Sequence, residues 1–157
     1  MRIGYGYDVH RLEVGHSLVL GGVEIPFETG LVGHSDADVL LHAITDALLG
    51  ACALGDIGQH FPNTDDEFDG IDSRILLRNI MDLIRGEGYQ ISNIDATVVA
   101  ERPKLASHIP TMRKRIAQDL AVDKEQVSVK ATTSEGIGFE GEGKGISARA
   151  VALLNKV

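Results

Sequence analysis

Residues 35–51 read Ser35-Asp36-Ala37-Asp38-Val39-Leu40-Leu41-His42-Ala43-Ile44-Thr45-Asp46-Ala47-Leu48-Leu49-Gly50-Ala51, and this stretch decides how the rest of the chain must be arranged. Ala37, Leu40, Leu41, Ile44, Ala47, Leu48 and Ala51 recur at helical spacing, which predicts an amphipathic helix. Ser35 is placed to cap it, with Asp38 as the acidic partner of a capping-box-like pair. Asp38, His42 and Asp46 recur every fourth residue on an adjoining face, where polar side chains can point into a site instead of the core.

Upstream, Arg2 to His10 alternate as a half-buried strand requires. Ile3, Tyr5, Tyr7 and Val9 fall on one side, and Gly4, Gly6, Asp8 and His10 on the other. Ser17–Leu20 and Val23–Pro26 flank Gly21-Gly22, a two-residue turn that predicts a small hairpin. Downstream, 55–72 reads as a long loop rich in Asp, Gly and Pro. A second helix is expected over about 73–85, ending at Gly86 and Gly88. Strands follow at 94–100 and 127–132, separated by a helix that begins near Pro110 with Met112, Ile116 and Leu120 inward. A glycine-rich loop over 136–145 then leads to 146–154, read as a last strand in preference to a short helix. The expected fold class is α+β: a mixed four-stranded sheet with helices on one face plus a small β-hairpin.

The length, 157 residues, predicts one domain over 1–157, and 43% hydrophobic with 24% charged residues is a globular balance. Fifteen basic against 23 acidic residues leave a net charge of −8. Such a field repels nucleic acid and anionic membrane surfaces, so neither is expected as a partner. The dense basic run Arg113-Lys114-Arg115 lacks interleaved aromatics and reads as a solvated helix face. Cys52 is alone, which excludes an intrachain disulfide and suggests a small apolar side chain in a reducing compartment. No basic-then-apolar leader opens the chain, and the longest apolar stretch, 39–54, is interrupted by His42 and Asp46. A cytoplasmic location is therefore expected.

Three clusters can carry chemistry. Asp8, His10 and His42 are one carboxylate and two imidazoles, a set that leaves one tetrahedral position open as in a catalytic Zn²⁺ site. Asp46 is placed to orient the His42 ring. A plainer reading stands beside it on spacing alone: a satisfied helix histidine and two solvated residues at a strand end. His34-Ser35 precede the helix, where free amides and the helix dipole favour a phosphate. Thr132-Thr133-Ser134-Glu135 with the glycines beyond offer hydroxyls, amides and a carboxylate to phosphate oxygens and Mg²⁺, or form only a mobile loop.

Other motifs fail. Gly136, Gly138 and Gly141 spell G-x-G-x-x-G, but too little chain remains for a dinucleotide fold. Asp65, Glu67, Asp69 and Gly70 open like a calcium loop, yet its twelfth position is Leu76, where a bidentate Glu is required. Neither a serine-hydrolase elbow nor a P-loop is present. Metal-assisted chemistry on phosphate is what remains.

The motifs also occur in a telling order: Asp8-Val9-His10, His34-Ser35-Asp36-Ala37-Asp38-Val39 through His42, Asp46-Ala47-Leu48 with Gly50, and Gly55-Asp56-Ile57-Gly58. Phe61-Pro62-Asn63-Thr64-Asp65, Ala100-Glu101-Arg102-Pro103-Lys104-Leu105 and Lys130-Ala131-Thr132-Thr133-Ser134-Glu135 complete it. Together, from Met1 to Val157, the chain resembles the 2-C-methyl-D-erythritol 2,4-cyclodiphosphate synthase family of the non-mevalonate isoprenoid pathway. The resemblance implies a homotrimer with active sites between adjacent subunits, one supplying the metal and its neighbour the nucleotide pocket. The implied substrate is 4-diphosphocytidyl-2-C-methyl-D-erythritol 2-phosphate. Its 2-phosphate attacks the β-phosphorus, releasing CMP and closing an eight-membered cyclic diphosphate.

Carried over by position, Asp8, His10 and His42 match ligands of Zn²⁺ or another divalent transition metal. His34 and Thr133 match transition-state stabilisers. Asp8, Val9, His10, His34 and Ser35 also match substrate contacts. Asp56, Ile57 and Gly58, with Phe61, Pro62, Asn63, Thr64 and Asp65, match segments that hold the ribose and erythritol parts. Ala100, Glu101, Arg102, Pro103, Lys104, Leu105 and Ala106, with Thr132, Thr133, Ser134 and Glu135, match the cytidine diphosphate cradle. Glu135 is expected to reach Mg²⁺ or Mn²⁺, and Phe139 matches a further substrate contact. Position 142 departs from the family: it is Glu where many members carry Arg beside the trimer axis, a group associated with a diphosphate in a central cavity. Two rivals from other classes are a non-catalytic metal or cytidine-nucleotide binder and a metal phosphohydrolase that yields a linear product.

Overall fold

The computed structural model describes residues 1–157. The predicted helix forms as α1 (Val39–Ala51), but it starts later than expected and its cap is Asp38, not Ser35. The reason is local. Ala37 sits in the left-handed region at φ 59°, which breaks any helix begun at Ser35, and the Ser35 hydroxyl instead accepts Ala37 N–H at 3.1 Å. Asp38 Oδ1 then accepts Leu41 N–H at 3.1 Å.

The same carboxylate accepts Gly21 N–H at 3.0 Å and Gly22 N–H at 2.7 Å. It thereby pins the hairpin of β2 (Leu18–Leu20) and β3 (Val23–Ile25) to the start of α1. Asp38 is fully buried and does not face a site, a correction to the pattern that grouped it with His42. Burial raises its pKa to about 6, against the pull of the amides it accepts and with help from the Asp36 charge.

β1 (Arg2–Glu13), β4 (Gly30–Val32), β5 (Tyr89–Val99), β6 (Val127–Thr132) and β7 (Gly145–Lys156) form a mixed sheet ordered β4-β1-β7-β5-β6. Five strands therefore replace the four expected. The added strand, β4, pairs with β1 from Arg11–Val32 to Glu13–Gly30, and three residues are too few for alternation to show in the sequence. Only β5 and β6 run parallel, with α4 (Ile109–Leu120) between them in the chain.

α1 lies across β1 and β7, and α3 (Ser73–Gly86) and α4 complete the helical layer. Gly4 and Gly6 set the depth of α1. A Cβ at either would stand 1.8 or 1.9 Å from the Ala47 or Ala43 carbonyl oxygen. The side of β1 that carries the glycines, Asp8 and His10 consequently faces the helices. Ile3, Tyr5, Tyr7 and Val9 face outward and are exposed, as is Val151 on β7.

The expected loops contain short ordered turns: α2 (Ile57–His60) and a 3₁₀ turn at Asp66–Phe68 in the first, and α5 (Gly138–Gly141) in the second. The basic run is not simply solvated. Arg113 donates to the carbonyls of Val127 at 2.7 Å and Lys124 at 3.1 Å, and Arg115 donates to that of Gly22. No helix is long and apolar enough to cross a membrane.

Candidate active site

Asp8 and His10 lie in the second half of β1, two residues apart on the helix-facing side, and His42 comes from the first turn of α1 above them. Asp8 Oδ2 is 2.8 Å from His10 Nε2 and 3.0 Å from His42 Nδ1, and the two imidazole nitrogens are 3.3 Å apart. One ligand atom from each residue falls within 4.8 Å of the others, a grouping that can hold a metal ion. His10 Nδ1 lies 3.0 Å from the Val32 carbonyl, which only accepts. That carbonyl takes the Nδ1 hydrogen and leaves Nε2 as the nitrogen that would give its lone pair to a metal ion; without an ion, Nε2 meets the Asp8 carboxylate as a donor. Strand β4, absent from the sequence reading, supplies that carbonyl.

Burial pushes the Asp8 pKa up, but hydrogen bonds and charge from His10 and His42 outweigh it and hold the carboxyl at about 2. Burial lowers His10, and the Asp8 carboxylate more than reverses that, so its pKa is raised. Asp46 does not orient His42. Its Oδ1 accepts Ile57 N–H at 2.9 Å and so holds the start of α2. Burial raises its pKa, opposed by that amide and aided by the charges of Asp56 and Asp8.

A pocket of about 380 Å³ opens over this cluster. It brings together Asp8, His10, His42, His34 and Ser35 with Ile57, Gly58, Phe61 and Asn63, as expected, and adds Gly33, Phe68, Ile71 and Leu76, which the sequence reading missed. Leu76 could have been found, since it is the apolar residue at the start of the α3 stripe that faces this way. His34 Nε2 lies 3.0 Å from the Asp65 carbonyl oxygen, and its own carbonyl accepts Gly70 N–H at 2.7 Å, tying it to the 65–70 turn. Asp56, Pro62, Thr64 and Asp65 do not line the pocket. Asp56 caps α2 by accepting Gln59 N–H at 3.0 Å, and the Asp65 carboxylate accepts Glu67 N–H at 3.0 Å.

A second pocket of about 230 Å³ lies between the 100–106 turn and the end of β6. Ala100, Glu101, Pro103, Lys104, Leu105 and Ala106 line one side, and Ala131, Thr132 and Thr133 the other. Glu101 joins the two sides by accepting Ser134 N–H at 3.3 Å. Arg102 turns away, to Glu28 at 3.2 Å and over the Phe27 ring. Glu135 is exposed at φ 54°, outside the pocket, and its N–H is 3.2 Å from Thr133 Oγ1.

Val9 and Phe139 meet elsewhere, in a hollow beside Arg11 and Lys144 on the outer face of β1. Glu142 is paired with Lys144 at 2.7 Å, which lowers the Glu142 pKa. The two main pockets share no residue but sit at the same end of the sheet. Asp8 is level with Ala148, Val98 and Ala131 in the register, so three strand steps of about 4.8 Å separate Asp8 from Ala131, roughly 14 Å.

Comparison with known proteins agrees with this geometry. A sequence model described as the YgbB family matches residues 1–155. The 2-C-methyl-D-erythritol 2,4-cyclodiphosphate synthase of Geobacter sulfurreducens is 62% identical over 156 residues, covering 99% of each chain. That of Clostridium perfringens is 61% identical, over 99% of this chain and 100% of its own.

Among solved structures, the bifunctional IspDF of Campylobacter jejuni superposes with a TM-score of 0.96 at 41% identity; it covers 99% of this chain, which spans 42% of that longer protein. A 2C-methyl-D-erythritol-2,4-cyclodiphosphate synthase in its CDP-bound form gives 0.90 at 39% identity, over 98% of this chain and 100% of its own. Identity at this level over the whole chain leaves one conclusion: the chain belongs to the YgbB family of 2-C-methyl-D-erythritol 2,4-cyclodiphosphate synthases.

Proposed function

We propose that this chain cyclises 4-diphosphocytidyl-2-C-methyl-D-erythritol 2-phosphate to 2-C-methyl-D-erythritol 2,4-cyclodiphosphate with release of CMP, as a phosphorus–oxygen lyase of isoprenoid precursor synthesis. The observation that carries the reading is the convergence of Asp8, His10 and His42 beneath a pocket that also holds His34 and Ser35. Asp8, His10 and His42 would hold Zn²⁺ or a similar divalent ion, and Glu135 would reach Mg²⁺ or Mn²⁺, cations that polarise phosphoryl oxygens and offset the repulsion between two phosphates.

The protein's own groups do the positioning. His34 and Ser35 line the pocket where charge develops, although α1 begins only at Val39 and its terminal amides lie beyond them, and His34 is held by the Asp65 carbonyl. Thr132, Thr133 and the 100–106 turn would cradle the cytidine diphosphate, and a cytosine can be read there by backbone groups without charge. No side-chain nucleophile is required, because the attacking phosphate is already ionised. Its oxygen forms the new bond to the β-phosphorus, and the bond to the CMP oxygen breaks.

The unit is read as a single domain that assembles as a homotrimer in the cytoplasm. The outward row Ile3, Tyr5, Tyr7 and Val9 supports assembly, since an apolar sheet face of this kind is ordinarily covered. The two separate pockets support a site completed between subunits. Phosphorus NMR on purified protein with the cytidyl substrate and Mg²⁺ tests the reading. Cyclic diphosphate plus CMP, abolished by a chelator, is expected. A linear product with oxygen from water would make it a phosphohydrolase, and binding without turnover a nucleotide-binding protein.

A further inference from the structure

His42 approaches Asp8 and His10 with Nδ1. Its far nitrogen, Nε2, lies 2.8 Å from Ser73 Oγ and 3.1 Å from Ser35 Oγ. Ser73 is fully buried at the first position of α3. It donates twice to Asp36, its backbone N–H to Oδ2 at 3.0 Å and its hydroxyl to Oδ1.

A hydroxyl has one proton. With that proton given to a carboxylate, which when ionised only accepts, the Ser73 oxygen meets Nε2 with lone pairs alone. Two acceptors repel, so the ring hydrogen belongs on Nε2, and Nδ1 is left free to give its lone pair to an ion that Asp8 and His10 would share. Ser35 Oγ, which already accepts Ala37 N–H, adds a longer contact to the same ring nitrogen. Asp36 is itself held, accepting Asp38 N–H at 3.1 Å and donating its own N–H to the Ile71 carbonyl at 3.1 Å.

We propose that Asp36 and Ser73 are positioning residues, a carboxylate–hydroxyl chain that holds His42 with hydrogen on Nε2 and its ligating lone pair on Nδ1. The inference rests on reading Asp8, His10 and His42 as a divalent-metal centre. It gives His42 the counterpart of what the Val32 carbonyl does for His10, with side chains 37 residues apart in sequence in place of backbone. The chain also ties the residues leading into α1 to the start of α3, so metal affinity depends on how those two helices meet.

The test needs no substrate. Zn²⁺ affinity is measured by competition with a chromophoric chelator, and ligand geometry by the visible spectrum of the Co²⁺-loaded protein. Ser73→Ala is expected to weaken Zn²⁺ binding by about 10- to 100-fold and to alter the Co²⁺ spectrum. Asp36→Asn should act in the same direction, and the double variant should bind no more weakly than the poorer single, because the two residues act as one unit.

A Ser73→Ala protein with wild-type Zn²⁺ affinity and Co²⁺ spectrum, even with a lowered Tm, overturns the proposal, as do additive losses. Should the variants fail to fold, nitrogen-15 NMR of the metal-free wild type, at a pH where the His42 ring is neutral, decides. A His42 hydrogen on Nε2 supports the chain, and one on Nδ1 contradicts it. A wild type that binds neither ion overturns the metal reading itself, a result distinct from the other failures.

Discussion

The three ligand-type residues differ in what surrounds them, and that difference sets what each substitution should do. His42 offers a lone pair to a cluster that has no other donor on its helix, so His42→Ala should lose Zn²⁺, measured by elemental analysis, together with turnover, while assembly persists. Asp46, once grouped with His42 by spacing, bonds to Ile57 N–H instead. Asp46→Ala is therefore expected to leave Zn²⁺ content unchanged and to raise KM, because α2 and the Asp56–Gly58 segment lose their anchor. Steady-state kinetics alongside metal analysis separates the two cases. The spacing of Asp38, His42 and Asp46 was legible in the sequence, but their partners were not. A period of four places residues on one helix face and says nothing of the loop or turn that comes to meet them.

At the scale of elements, Gly4 and Gly6 let α1 approach β1 until helix carbonyls touch the strand. Gly6→Ala should cost about 3 kcal/mol or more in chemical denaturation, because the new methyl meets backbone that cannot swing aside. Asp38 works at the same scale, joining hairpin to helix, and its raised pKa makes that joint sensitive to pH. Between about pH 3.8 and 6 the unfolded chain releases this proton while the folded chain keeps it. Stability then falls as pH rises through that window, by up to about 3 kcal/mol from this group, and stays lower above it. Denaturation curves across pH should show this slope in the wild type and not in Asp38→Asn, which keeps a capping side chain but cannot ionise.

At the scale of the molecule, one end of the sheet carries both pockets, yet β7 and β5 stand between them. In the proposed assembly, the outward apolar row on β1 is the surface through which another copy would bring its pocket to this one. On the proposed trimer, replacing Tyr5 and Tyr7 by Asp should shift the mass in light scattering from three chains to one. It should also reduce turnover far more than Zn²⁺ content, since each chain keeps its own ligand cluster. Unchanged mass with the face recharged would remove this row from the interface.

Read without coordinates, the chain already shows a helix running to Ala51, strands at 2–10 and 127–132, and the grouping of Asp8, His10 and His42. These are short-range signals: helical period, strand alternation, and a motif order that survives without coordinates. That Asp38 caps a helix and locks a hairpin, that a three-residue strand orients His10, and that Ser73 and Asp36 stand behind His42 emerges only once the chain is folded. Each of those depends on groups distant in sequence meeting at hydrogen-bond range. Local propensity carries no record of such meetings, because the partner's position is set by how the helices settle on the glycine side of β1.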